Sequence, residues 1–140
     1  MSSINCSGKL ILALSKRFSL DLKLPWFVYP KYATQVDLER YLKKCGLHVL
    51  SSGSNTLSFD FHELKDNNAE LILCYEGINK DNSKHVCIVD DMNDSNDIKL
   101  PHIDRYIKQE EFSKRLLMIV SKEDISELVD VHFMPVPGGA

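Results

Sequence analysis

The chain has 140 residues, of which 44% are hydrophobic and 26% are charged, and its formal net charge is -3. This composition predicts one soluble globular domain over residues 1–134, followed by a flexible tail at 135–140. The negative charge argues against wrapping of nucleic acid, which usually needs a basic face to displace counterions from phosphates. We therefore expect any RNA contact to be indirect, through a protein partner.

Cysteine usage and the first residues predict an intracellular protein. Cys6, Cys45, Cys74 and Cys87 form no CxxC pair, so we expect reduced and mostly buried thiols. The first residues lack the charged and apolar regions of a secretory signal, and the longest early apolar run is too short to cross a bilayer. These features predict a cytosolic protein without a membrane partner.

The first third of the chain is predicted to contain β structure followed by one helix. The alternation in "FSLDLKL" is typical of a half-buried strand, and the preceding run "KLILAL" is assigned to β structure by continuity. Pro25 and Pro30 bracket the apolar, turn-rich segment "WFVY". A helix is predicted over about 35–45, because Thr34 can cap its start and apolar residues recur at helical spacing up to Gly46.

Beyond that helix, the sequence predicts antiparallel strands. The runs "LHVLSS", "TLSFDF", "AELILCY" and "KHVCIVD" are separated by turn-forming segments. "DDMNDSND" predicts a polar loop, "HIDRYIKQEEF" a short helix, and "RLLMIVS" with "VDVHFMP" a last strand pair. The predicted fold class is α+β, with mostly antiparallel strands in an irregular six-to-eight-stranded barrel and one main α-helix.

Motif analysis argues against catalysis and against a cofactor or metal. Tested as an EF-hand from Asp91, the acidic loop has Asn96 at the glycine position and His102 where a bidentate Glu is required. The histidines lack zinc-site spacing, and the glycines form no phosphate-binding motif. His85 and Cys87 share one face of a predicted strand, but no oxyanion-hole motif accompanies them. We therefore expect a non-enzymatic protein.

A cluster of basic residues marks the predicted helix. Arg40, Lys43 and Lys44 fall on its outer face at i, i+3 and i+4, and Lys31 lies just upstream. Two interpretations stay open: a solvated helix face, or a contact patch for RNA or for an acidic partner surface. These four cations are the candidate partner-binding residues.

The C-terminal sequence "VDVHFMPVPGGA" predicts a core strand followed by an extended tail. Apolar residues alternate with polar ones from Val129 to Phe133, and two prolines then prevent the strand from continuing. Gly138, Gly139 and Ala140 carry no side chain larger than a methyl group. Such a tail can enter a narrow protease groove that excludes bulky residues.

The last segment, "RLLMIVSKEDISELVDVHFMPVPGGA", resembles the end of the short leader protein of alphacoronaviruses, the first non-structural protein of the replicase polyprotein. The segments "KKCGLHVL" and "AELILCYEG" also fit the order of elements in that family. The resemblance implies an irregular antiparallel barrel with one helix across an opening. It also implies a non-enzymatic suppressor of host gene expression, chiefly translation, in the host cytoplasm.

The implied partners are the host small ribosomal subunit or translation factors, and a viral papain-like protease that cleaves at Gly138, Gly139 and Ala140. The chain is longer than the short leader proteins, and "DDMNDSNDIKLPHIDRYIKQEEF" is the expected insertion. Longer betacoronavirus leader proteins use a Lys-His pair in a helical extension. Because Lys84 and His85 open a predicted strand instead, that role is not carried over.

Two alternatives from other classes remain. The tail is similar to those of ubiquitin-like and sulfur-carrier proteins, in which Gly139 would be activated after removal of Ala140. That alternative requires a β-grasp domain. A small acidic inhibitor or immunity protein would also fit the composition, but it leaves the Gly-Gly-Ala sequence unexplained.

Overall fold

The computed structural model describes residues 4–29, 34–53, 55–78 and 84–132. Within these ranges the chain forms three α-helices, namely α1 (Cys6–Phe18), α2 (Gln35–Lys44) and α3 (Phe61–Asp66). It also forms nine strands, namely β1 (His48–Ser51), β2 (Thr56–Ser58), β3 (Glu70–Glu76), β4 (His85–Ile88), β5 (Asp91–Met92), β6 (Ile98–Lys99), β7 (Tyr106–Ile107), β8 (Lys114–Ser121) and β9 (Asp130–His132). Short 3-10 helices lie at Trp26–Val28, Gln109–Glu111 and Ser126–Leu128.

A four-stranded sheet, in the order β1-β8-β3-β4, forms the centre of the molecule. Its longest pairing joins β3 to β8, from Glu70 opposite Val120 to Glu76 opposite Lys114. Two smaller sheets contain β2 with β9, and β5, β6 and β7. Every strand pairing in the described ranges is antiparallel, so the predicted antiparallel α+β class is confirmed.

The central sheet separates two apolar cores, because successive side chains of a strand point to opposite faces. On β3, Ile72 and Cys74 pack with α1 and α2 on one face, which we call the helix side. Leu71 and Leu73 pack on the other face with α3 and the small sheets. Burial on both faces explains why "ELILCY" is an almost continuous apolar run.

The predicted strand at "KLILAL" is wrong, because this run lies within α1. Its apolar residues also fit helical spacing, and Leu10, Ile11 and Leu14 are buried. The Asn5 side chain caps the helix by accepting from the Gly8 backbone N–H, and Ser19 ends it in the left-handed conformation with φ 52°. The "FSLDLKL" strand is also wrong, since residues 20–25 form neither helix nor strand.

The helix predicted at about 35–45 is confirmed as α2, and Thr34 caps it by accepting from the Asp37 backbone N–H. It is not the one main helix, because α1 has 13 residues against 10 for α2. The predicted strand "TLSFDF" stops at Ser58 and is followed by α3. There the Asp60 carboxylate accepts from two backbone N–H groups of the first turn, which favours a helix at that point.

The predicted pairing of the last two strands is also wrong. β8 lies between β1 and β3, and β9 pairs with β2 instead. Of the residues in the predicted core strand, Val129 is buried just before β9, Val131 is 42% exposed, and Phe133 lies outside the described residues. The segment predicted as a late helix contains β7 and the 3-10 helix Gln109–Glu111, and the predicted polar loop contains β5.

Several expectations are not settled by this architecture. The nine strands in the described ranges form three sheets that do not close into a barrel, so the six-to-eight-stranded barrel is not confirmed. The tail at 135–140 lies outside the described residues, and the domain range 1–134 stays a prediction. Among the helices in the described ranges, none is long and apolar enough to cross a membrane.

Candidate functional site

The predicted basic residues of α2 lie on its solvent side. Arg40, Lys43 and Lys44 are exposed, while Leu38 and Leu42 are buried on the opposite side. One of these cations is partly neutralised, because Lys43 Nζ lies 3.1 Å from the Glu39 carboxylate one turn earlier. In the described part of the chain, no carboxylate pairs with the other two. Lys31, the fourth predicted cation, lies outside the described residues.

An exposed tryptophan lies next to α2, on the 3-10 helix Trp26–Val28. The Trp26 side chain is 73% exposed, whereas Phe27 and Val28 are buried. The Asn5 backbone N–H donates to the Val28 carbonyl at 2.7 Å, and its side-chain amide donates to the Phe27 carbonyl at 2.8 Å. The indole is therefore displayed on a backbone that α1 holds in place.

Aromatic contacts join this turn to α2. The Phe27 ring meets the Trp26 ring edge-to-face at 5.9 Å, and it meets the Tyr41 ring in the same way at 5.9 Å. The Tyr41 hydroxyl also donates to the Lys23 carbonyl. Tyr29, at the end of the turn, is 50% exposed. We call Trp26 and Tyr29 the aromatic surface; in the sequence, its signal is a tryptophan between two closely spaced prolines.

A groove with a volume of about 630 Å³ opens on the helix side of the central sheet. Its floor is a row of three side chains on neighbouring strands, Val86, Cys74 and Leu116, which the strand register places side by side. Its walls are the first turns of α1 and α2, and the half-exposed Val36 lies on the α2 side. We call this cavity the helix-side groove.

The mouth of the helix-side groove is basic. Lys84 Nζ and Lys114 Nζ lie on either side of the Glu76 carboxylate, at 4.0 Å and 3.8 Å. The next residue on β8, Arg115, alternates to the other face of the strand, and its guanidinium donates to the Gln109 carbonyl. At the mouth, two ammonium groups therefore approach one carboxylate.

No protein-family model, curated protein or solved structure matches this chain. The resemblance to the alphacoronavirus leader proteins therefore rests on the quoted segments alone and stays a prediction.

All four cysteines are free, and each is partly buried. Burial raises the pKa of Cys74 and of Cys87 to about 12, which keeps both thiols protonated at neutral pH. The His85 ring stacks on the Tyr75 ring at 5.1 Å, with an angle of 24° between the planes. These observations give no support to a Cys87 nucleophile activated by His85.

The acidic loop closes the hairpin between β5 and β6. Asn93 Oδ1 accepts from the backbone N–H groups of Ser95 and Asp97, and Asn96 takes the left-handed conformation with φ 63°. The Tyr106 hydroxyl donates to the Asp91 carboxylate, and this hydrogen bond raises the tyrosine pKa. In the described ranges, no three His, Cys, Asp or Glu residues converge as metal ligands.

Proposed function

We propose that this protein acts by binding, without catalysis, and that it inhibits host protein synthesis through the translation machinery. The exposed aromatic surface supports the binding part of this proposal, and the resemblance of the last segment supplies the target. The partner would be the host small ribosomal subunit or a translation factor in the host cytoplasm. RNA would be contacted through that partner.

The single observation that carries the proposal is the exposure of Trp26. An indole that is 73% exposed leaves a large apolar area in water, and tryptophan is enriched among the residues that dominate binding energy. Its backbone is already held by the hydrogen bonds from Asn5, so binding would order little additional chain. Trp26 is therefore the proposed centre of the contact surface.

The basic residues of α2 are suited to the rim of the same surface. The Phe27 and Tyr41 rings join the turn to α2, and Arg40 directly precedes Tyr41 on that helix. Arg40 and Lys44 have no carboxylate partner in the described part of the chain, so they can engage an acidic partner surface. Lys43 contributes less, because Glu39 already compensates its charge.

The barrel architecture and the protease junction are proposed from the resemblance to the alphacoronavirus leader proteins. The strands would belong to an irregular barrel of the leader-protein type. Gly138, Gly139 and Ala140, which lie outside the described residues, would be the junction for a viral papain-like protease. In this proposal the junction serves processing, and inhibition does not require it.

Translation of a reporter messenger RNA in a mammalian cell lysate tests the proposal. We expect the folded chain to reduce reporter synthesis, and Trp26→Ala to require roughly tenfold more protein for the same reduction. The matched control is Tyr106→Ala, which removes an aromatic ring that is 43% exposed on the other side of the central sheet. That variant should inhibit like the wild type.

Removal of Gly138, Gly139 and Ala140 should leave inhibition unchanged. Loss of function in Gly139→Ala would instead support the carrier alternative. A folded wild-type chain that leaves reporter synthesis unchanged would contradict the proposed function. Equal inhibition by the wild type and by Trp26→Ala would contradict the proposed surface.

A further inference from the structure

We propose that the helix-side groove binds a free carboxylic acid carried on an apolar chain. The proposed ligand is a small amphipathic molecule with one anionic end. This inference is independent of the proposed inhibition of translation, because the helix-side groove and Trp26 are separate features.

The floor of the groove selects an apolar body. Val86 and Leu116 are hydrocarbon side chains, and the Cys74 thiol between them is a weak hydrogen-bonding group that stays protonated. The backbone of Cys74 and of Leu116 is paired on both sides within the central sheet, and Val86 lies on its edge strand β4. A peptide or a nucleotide would place several polar groups against this floor without partners, at an unfavourable desolvation cost.

The walls favour the same kind of ligand. Val36 is 52% exposed on the first turn of α2, where an apolar ligand would cover it. The Thr34 hydroxyl also lines the groove, but it already accepts from the Asp37 N–H at 3.2 Å and donates to the Asp37 carboxylate at 2.8 Å. Val36 and Leu38 therefore supply the hydrocarbon contacts along this wall, beside the polar side chain of Gln35.

The mouth of the groove selects the anionic end. Lys114 lies directly opposite Glu76 in the pairing of β8 with β3, and its Nζ lies 3.8 Å from the Glu76 carboxylate. The Lys114 side chain is 78% exposed and can turn toward an entering carboxylate while remaining hydrated. The ligand carboxylate would pair with this lysine at the open end of the groove.

The size of the groove fits this assignment. A volume of about 630 Å³ falls within the range of small-molecule sites, roughly 300–1,000 Å³. A single unbranched chain can lie along the row of Val86, Cys74 and Leu116 and reach the lysines with its carboxylate. Dodecanoate, below its micelle concentration, is therefore a suitable probe.

Titration of the full chain with dodecanoate, followed by calorimetry and by amide NMR shifts, tests this inference. We expect the largest shifts at Cys74, Val86 and Leu116, and weaker binding at higher salt. Lys114→Ala should weaken binding about fivefold, as expected for one partly screened charge interaction. Lys43→Ala removes an exposed, ion-paired lysine on the outer face of α2 and should have no effect.

Dodecanol is the matched neutral ligand, and it should bind clearly more weakly than dodecanoate. Equal binding of the alcohol, or an equal loss from Lys43→Ala, would overturn the role of the basic mouth. Absence of binding, or shifts centred on other residues, would overturn the site itself. None of these outcomes depends on whether the protein inhibits translation.

Discussion

Gly77 occupies a position that combines an unusual backbone conformation with a close contact. Its φ is +80°, and a Cβ at this position would lie against Ser113 Oγ and 2.5 Å from Ser113 Cβ. The Ser113 backbone N–H donates to the Glu76 carbonyl at 3.0 Å, which fixes Ser113 beside the end of β3. Glycine is therefore required here both for conformation and for space.

Substitution at two glycines separates these effects. Gly77→Ala should lower the free energy of unfolding by about 3 kcal/mol, from left-handed strain together with overpacking against Ser113. Gly46→Ala should lower it by only about 1 kcal/mol, because φ is +90° there but no atom lies within 4 Å of the added Cβ. Urea denaturation measures both values. Equal losses would show that the contact with Ser113 is unimportant.

At the scale of elements, Glu70 links three of them through ion pairs. Its side chain is 7% exposed at the start of β3, and both of its oxygens accept from Lys65 Nζ, at 2.8 Å and 2.7 Å. Arg17, in the last turn of α1, lies 3.3 Å from the same carboxylate. Because Lys65 belongs to the last turn of α3, this carboxylate joins α1 and α3 to the central sheet.

Removal of one partner should be costly, because it leaves a buried charge with less compensation. Lys65→Ala should lower the free energy of unfolding by about 1–2 kcal/mol. This is less than the roughly 3–5 kcal/mol typical of breaking a buried ion pair, because Arg17 remains beside the Glu70 carboxylate. The control Lys43→Ala breaks an exposed pair one helical turn apart and should cost only about 0.3–0.5 kcal/mol.

A double-mutant cycle gives the decisive comparison for this ion pair. Lys65→Ala should cost clearly less in a Glu70→Leu background than in the wild type, and thermal or urea unfolding gives all four values. The same cost in both backgrounds would show that Lys65 stabilises the protein through contacts other than its ion pair with Glu70.

At the scale of the whole molecule, the two cores share the strands β3 and β8. Leu14 and Met118 belong to the helix-side core, and Ile107 and Ile119 belong to the opposite core. Loss of either core would expose one face of the same two central strands. Cooperative unfolding of both cores is therefore expected.

Large-to-small substitutions in each core test this coupling and the predicted single domain. Leu14→Ala and Ile107→Ala, both at fully buried positions, should each lower the free energy of unfolding by about 2–5 kcal/mol. Both should move one common transition, followed by circular dichroism and by fluorescence. Two separate transitions, each sensitive to one substitution, would contradict a single domain over residues 1–134.

Local signals explain which elements could be predicted. The helix α2 was predictable because its cap, Thr34, and its apolar spacing act within one stretch of chain. The run in α1 satisfied the patterns of strand and helix equally, and burial against the central sheet decides between them. The 3-10 helix Ser126–Leu128 connects β8 to β9, and the two strands then pair in different sheets. The spacing of apolar residues in the sequence does not specify which strands they pair with.

The sequence by itself determined the antiparallel α+β class, the helix α2 and the common face of Arg40, Lys43 and Lys44, because these follow from periodicity and capping within short segments. Only the tertiary structure decided the exposure of Trp26 and the formation of the helix-side groove. The physical reason is that residues far apart in the chain must meet. The floor row of Val86, Cys74 and Leu116 exists only after three strands have paired.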